Sequence, residues 1–560
     1  MKAILPHKIL INTKHSYQMF RKNQSKISLK LEIDQDNHSR PQSRIPRLLK
    51  IFKTLKYIHD LNLSNLALFD RKLYLPKMIY FAKRMSNAQT IKICDHSKSS
   101  GSQKGISESW PKYARRIETL SYNNVGRNAE RVDEKVPTSV SLFINLLLRY
   151  QPRITDLSVN SLHDMSHFIQ NYCRHRNFPP SLERISLDNV TFNKPIAPRN
   201  STRLRNIKHF EMKSTQMFAE NSIVSIIEPL SELCPGLQSL SLCWNYSPTS
   251  KILSLFSGIK AFQHLKNLKV QLGSMTTKNL REILQRLAQC SLTELNLKLG
   301  IKEESQLLPI AKLIEKQSNL QSLKLQINCE KRFTALEYIK ISFKAIDDLL
   351  HLVNLSISIT SRLKKGFLFS ELHPAFTKVF AKQIPLESFR LHIEHLSISN
   401  QEFLDIFQSL EPAAPTLKKL TIDIGKTKLK KAERQGLLDL LQNLQNIRSL
   451  KLKSLVLSSE LLLNDFTEII CSLSSLRSLT LKEISAKVQK QIFVDLLKEI
   501  LQKPGLEKFE CSVSYNLGPL LQQSFQLATV KNIRKRNPSL VQVSNLAAFN
   551  THDEYKIRTW

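Results

Sequence analysis

The sequence predicts an α/β repeat solenoid: a horseshoe with a parallel β-sheet on its concave side and helices on its convex side. Three observations predict it. The phrase Leu-x-x-Leu-x-Leu, with conservative replacements, recurs along nearly the whole chain. Its starts lie about 25–37 residues apart, most of them about 28–31. Between copies, the apolar spacing changes from every second residue to every third and fourth. A chain of 560 residues exceeds the about 250–300 residues at which a single core stops growing, but a repeat array has no such ceiling because each unit packs only on its neighbours.

The clearest copies are Leu265-Lys-Asn-Leu268-Lys-Val270-Gln-Leu272, Leu292-Thr-Glu-Leu295-Asn-Leu297-Lys-Leu299 and Leu320-Gln-Ser-Leu323-Lys-Leu325-Gln-Ile327. Others begin at Leu237, Leu352, Leu386, Leu417, Ile447, Leu476 and Leu506, and weaker ones at Ile58, Ile117, Ile154, Leu182 and Ile207. Thr90-Ile91-Lys92-Ile93 is a partial match, and a last copy is expected near Leu540. The alternation within each copy is that of a short strand with one buried face. Between strands, Leu280, Ile283, Leu284 and Leu287 form a helical stripe, as do Phe403, Leu404, Phe407 and Leu410. Leu437, Leu438, Leu441 and Leu444 make another, and Ile492, Phe493, Leu496, Leu497 and Ile500 a fourth. Thr277 is expected to cap a helix over 278–289, and Asn400 one over 401–410.

On these residues the chain resembles the leucine-rich repeat superfamily, in its ribonuclease-inhibitor-like class, over roughly residues 50–545. The asparagine that usually follows the strand in that family is often missing. Gly300 and Thr360 stand in such places, while Asn245 and Asn328 fit. Residues 1–45 read as an irregular basic segment or cap, 46–545 as the repeat array and 546–560 as a tail. Residues 97–112 and 124–137 read as polar loop insertions.

The formal net charge of +36, from 83 Lys and Arg against 47 Asp and Glu, favours acidic partners: a protein, a nucleic acid or an anionic surface. An AT-biased coding sequence explains abundant Lys but not the shortage of acid. The 12 glycines argue against Gly-rich phosphate loops. The eight cysteines are widely spaced, with no Cys-x-x-Cys pair, and read as reduced core thiols. With no leader-like apolar segment after Met1 and no membrane-length apolar run, the expected setting is cytoplasmic, with a nuclear one left open.

Gly425-Lys426-Thr427 invites a phosphate-loop reading, but the pattern needs a further Gly where Leu420 stands, so a basic surface loop is expected. Cys94-Asp95-His96 and Cys173-Arg174-His175 lack a second pair at zinc spacing. No catalytic set is identified, and no cofactor or small-molecule substrate is expected. Ile45–Leu55 looks like the opening of an F-box, the adaptor module of ubiquitin ligases, but the cysteine and tryptophan of that pattern are missing, and a repeat helix is the simpler reading.

The remaining candidate is the concave face, formed by side chains between the buried strand leucines. Its candidate partner-binding residues are Lys269, Gln271, Asn296, Lys298, Lys324, Gln326, Arg390, His392, Lys451, Lys453 and Lys482. This face is polar and basic, without the aromatics that single-strand nucleic-acid binders interleave with their cations. The expectation is a non-enzymatic scaffold for an acidic protein. A ubiquitin-ligase adaptor and a sequence-independent nucleic-acid binder are the alternatives.

Overall fold

The computed structural model describes residues 28–32, 60–66, 90–95, 118–124, 153–160, 181–188, 190, 206–214, 230, 234–244, 256, 259, 262–329, 345–346, 349–361, 380, 385–394, 407–427, 431–457, 460–486, 499–514 and 554–559. These fall into two compact units, Met1–Gly273 and Ser274–Trp560.

In the first unit nine strands follow one another: β1 (Ser28–Glu32), β2 (Asp60–Leu66), β3 (Thr90–Asp95), β4 (Thr119–Asn124), β5 (Asp156–Asn160), β6 (Arg184–Asp188), β7 (His209–Ser214), β8 (Ser239–Trp244) and β9 (Asn267–Leu272). Each pairs in parallel with the next. The second unit holds β10 (Glu294–Ile301), β11 (Ser322–Cys329), β12 (Asn354–Ser361), β13 (Ser388–Glu394), β14 (Lys419–Thr427), β15 (Ser449–Leu457), β16 (Ser478–Ala486) and β17 (Lys508–Ser514), again paired in parallel in chain order. Its described helices include α1 (Thr277–Leu287), α2 (Leu307–Glu315), α3 (Lys431–Asn443) and α4 (Glu460–Ser472). This is the α/β leucine-rich repeat fold, strand then helix, with strands adjacent in sequence adjacent in the sheet.

The phrase is the mechanism of that stacking. Its first, fourth and sixth residues all point into the core. Leu292, Leu295 and Leu297 are at most 1% exposed, and so are Ile447, Leu450 and Leu452. The weaker copies at Ile154, Leu182 and Ile207 obey the rule too, since these residues are buried; Ile58 and Ile117 lie outside the described residues. The carbonyl of the second residue accepts two backbone N–H groups from the next repeat. Gln321 and Ser322 donate to Thr293 O at 2.9 and 3.1 Å, and Val353 and Asn354 to Gln321 O at 2.8 and 3.0 Å. The same fork recurs at Val353, Glu387, Lys418, Arg448 and Arg477, and at Thr155, Glu183, Lys208 and Gln238 in the first unit.

The expected helix stripes close the core from the other side. Leu280, Ile283, Leu284 and Leu287 are buried on α1, and Leu437, Leu438, Leu441 and Leu444 on or just after α3. The cap of α1 is one residue earlier than expected. Thr276, with extended backbone, accepts from Asn279 N at 3.3 Å, whereas Thr277 already lies in the helix and donates to Glu303 Oε2 at 2.7 Å. The helix α2 is invisible to periodicity because its sequence, LLPIAKLIE, is apolar almost all round. Its approach is held by Gln306, fully buried, which accepts from the N–H groups of Lys302 and Glu303 and donates to Met275 O at 2.6 Å.

One further placement differs from the sequence reading. Gly425-Lys426-Thr427 is not a surface loop but the last part of β14, where the register with β15 shifts between Asp423 and Thr427. The cause is the strand's continued alternation through Ile422 and Ile424, which carries it beyond the six-residue phrase. Strand β1 lies within the 1–45 segment. A last strand, β18 (Glu554–Thr559), lies within the 546–560 tail and pairs antiparallel with β17. The loops 97–112 and 125–137, the F-box-like 45–55 segment, Asn245, Asn400, Cys173, His175 and the copy near Leu540 lie outside the described residues.

Cys234, Cys243 and Cys329 are buried free thiols, with Cys290 and Cys471 half-buried. Burial pushes the Cys329 thiol up to about 12 and Cys290 up to about 11. Among the described residues no helix is long and apolar enough to cross a membrane. Replacing Leu297, fully buried at the centre of β10, by Ala is expected to cost about 2–5 kcal/mol, read as a lowered denaturation midpoint. Thr276→Ala is expected to cost about 0.5–2 kcal/mol through the lost cap.

Candidate binding face of the sheet

Because the register does not slip within the phrase, its fifth and seventh residues line up across the strands into two columns on the open face of the sheet. In the second unit the first column runs Asn296, Lys324, Ser356, Arg390, Thr421, Lys451, Thr480 and Glu510. The second runs Lys298, Gln326, Ser358, His392, Asp423, Lys453 and Lys482. Of the expected partner-binding residues, Asn296, Lys298, Lys324, Gln326, Arg390, His392, Lys451, Lys453 and Lys482 are therefore on one face of one unit. Lys324 and Arg390 are exposed, and the others whose side chains are described are half-buried.

Lys269 and Gln271 belong to the first unit. There the columns run Ser121, Ser158, Ser186, Glu211, Ser241, Lys269 and Asn123, Asn160, Asp188, Lys213, Cys243, Gln271.

The sequence alone presents the cations as available to a partner. The structure gives two groups of them intramolecular carboxylates. In the first unit Glu211 accepts from the hydroxyls of Ser186 at 3.1 Å and Ser241 at 3.3 Å, and pairs with Lys213 at 3.2 Å and Lys269 at 3.5 Å. Burial pushes the Glu211 carboxyl up, but Lys213, Ser186 and Lys269 together outweigh it and hold the group below its ordinary value. Asp188, across from Lys213 in register, has one carboxylate oxygen buried without a hydrogen-bond partner. Its pKa is raised, with burial outweighing the pull of Lys213.

In the second unit the centre is Asp423, between His392 and Lys453 in the second column. His392 Nδ1 lies 2.7 Å from Asp423 Oδ2, and Lys453 Nζ lies 3.4 Å from the same oxygen. Burial alone would raise the Asp423 carboxyl. The hydrogen bond and charge of His392, then Lys453, more than reverse this and hold it below its ordinary value. Ser358, His392 and Asp423 occupy adjacent register positions. Acyl transfer would also require donors placed for an oxyanion, whereas backbone N–H groups of a parallel sheet lie in the sheet plane and point to the neighbouring strands. The cluster's evident work is electrostatic: it fixes the His392 ring and holds one carboxylate within the basic face.

Two other polar features escape the sequence reading. Thr360 donates to Asn328 Oδ1 at 2.8 Å, so the asparagine at the end of β11 is tied to the next repeat. A shallow groove of about 290 Å³ runs along the edge where β13 to β16 begin, lined by Glu387, Thr416, Lys418, Asn446 and Arg448 among others. Much of its polarity is turned onto the protein: Thr416 donates to Leu386 O and Asn446 to Pro415 O, both at 2.8 Å, and Lys418 pairs with Glu387.

The Asp423 cluster sets a sign. A carboxyl whose folded pKa is depressed stabilises the fold above its unfolded value, near 3.8, and that contribution is lost as pH falls through the folded value. Asp423→Asn is expected to cost about 1–3 kcal/mol at neutral pH. The gap from wild type should narrow as denaturation is repeated at pH values progressively below that unfolded value.

No family model matches the sequence, and no curated protein matches it. Among solved structures the chain is similar to an internalin, InlF, of Listeria monocytogenes strain 4b F2365. The match has 14% identity and a TM-score of 0.32, and covers 66% of this chain and 83% of that chain. It is also similar to TLR13 in a complex with ssRNA13, at 13% identity and a TM-score of 0.39, covering 83% of this chain and 67% of that chain. What this chain binds has to be argued from its own side chains.

Proposed function

We propose that the chain is a non-enzymatic interaction scaffold that takes an acidic protein on the open strand face of its second unit. One observation carries the reading. From β10 to β15 the in-register columns gather Lys298, Lys324, Arg390, Lys451 and Lys453 around one described carboxylate, Asp423, which is itself paired. A face of one sign attracts and orients partners of the other.

The overall charge also favours a second reading, sequence-independent nucleic-acid binding. The two columns carry no Phe, Tyr or Trp on which bases would stack, and this favours protein. Buried free thiols at Cys234, Cys243 and Cys329 fit a reducing, cytoplasmic setting.

Tagged protein isolated from its native cells at about 150 mM salt is expected to retain protein partners after nuclease treatment. It is expected to lose them when Lys324 and Arg390 are both changed to Glu. Loss on nuclease treatment alone would move the function to nucleic acid. Deleting residues 1–57 should leave capture intact. Loss of a ligase partner on that deletion would instead support the adaptor alternative.

A further inference from the structure

The first column of the second unit has an order that its charge alone does not explain. From β11 to β16 it reads Lys324, Ser356, Arg390, Thr421, Lys451, Thr480: a cation on every second strand, with a hydroxyl on each strand between. Ser356 and Thr421 are half-buried beside exposed Lys324 and Arg390. Resting on the acidic-partner reading above, we infer that this column takes an extended acidic peptide, in a polyproline-II-like conformation, lying across the strands with a carboxylate at every third residue.

The spacing selects that conformation. Strands lie about 4.8 Å apart, so cations on alternate strands are about 9.6 Å apart along the column. A polyproline II chain has three residues per turn and advances about 3.1 Å per residue, so every third side chain returns to the same face after about 9.3 Å. A β-strand returns to one face every second residue, at about 6.7 Å or about 13.3 Å, so it misses the second cation and comes near only the third, at about 20 Å. An α-helix returns near the same face after seven residues, about 10.5 Å, and has drifted by about 2 Å at the third cation.

The hydroxyls make the same selection independently. A helix arrives with its backbone hydrogen bonds already made, whereas a polyproline II chain has none and must find partners for its N–H and C=O groups when it leaves water. Ser356 and Thr421 stand between the cations, where those groups would pass. Each hydroxyl can both donate and accept.

The second column limits where the peptide lies. Its carboxylate, Asp423, is next to the line of the peptide and would repel it were it not held by His392 and Lys453. This pairing leaves the first column as the path with no described carboxylate before Glu510 at β17.

The test uses two synthetic fluorescent peptides of identical composition, rich in Pro and Ala, bound to the full-length chain at low salt. One spaces its Glu residues three apart and the other spaces the same number two apart, with the remaining Pro and Ala moved to the ends; an uncharged Gln peptide is the control. The every-third peptide is expected to bind about tenfold more tightly, and Arg390→Glu is expected to erase the difference. Lys324→Glu, also at an exposed position, serves as the second variant, and circular dichroism melts check that both fold. Equal affinities, both weakened by the two charge reversals, would overturn the spacing while leaving the acidic-partner reading intact. Binding of neither peptide above the control, or binding that neither reversal touches, would overturn both.

Discussion

The fork at the second residue of each phrase is the constraint on which the rest depends. One carbonyl accepts two N–H groups from the following repeat, as Thr293 does from Gln321 and Ser322. Two donors on one acceptor fix the following strand in position and direction, so it enters the sheet parallel and without slip. A slip of one residue would turn every leucine outward and every lysine inward. The leucine pattern alone permits stacking. The fork decides that Leu323 falls beside Leu295 and Lys324 beside Asn296.

Once register is fixed, the sheet turns a sequence spread over hundreds of residues into columns only a few ångströms wide. Residues that are unremarkable in the chain become neighbours. Glu211 meets Lys269 from two strands away, and Asp423 meets His392 from 31 residues away. Each such acid lies close enough to a cation to be held ionised against the cost of burial. Excess positive charge is therefore uneven on the face, offset where a carboxylate stands in the column.

The sequence carried the fold because its signal is repeated. A single Leu-x-x-Leu-x-Leu means little, but Ile154, Leu182 and Ile207 can be read as weak copies through the period of their stronger neighbours, and all three are buried. The α1 and α3 stripes are equally plain. Helix α2 is not, because a segment buried nearly all round has no polar face to mark its period. The cap shifts from Thr277 to Thr276 because two adjacent threonines offer the same chemistry, and only backbone direction chooses between them. The columns can be enumerated from the sequence. Their internal ion pairs cannot, since which acid reaches which cation depends on register and side-chain reach across strands.

Those ion pairs also change what the net charge means. At +36 the chain attracts polyanions of every kind, and over distances beyond the Debye length of about 8 Å at physiological salt it has little means of choosing among them. Choice arises within contact range, where the face is no longer a uniform field. Asp423 interrupts the second column, and hydroxyls interrupt the first at every other strand. A densely charged strand of nucleic acid presents charge continuously, at one phosphate per about 3.4 Å of rise, and would leave most of it opposite Ser356, Thr421 and Thr480. A polymer whose charge recurs at the spacing of the cations leaves none unmatched. The discontinuity of the basic column, more than its total charge, favours a peptide with spaced carboxylates.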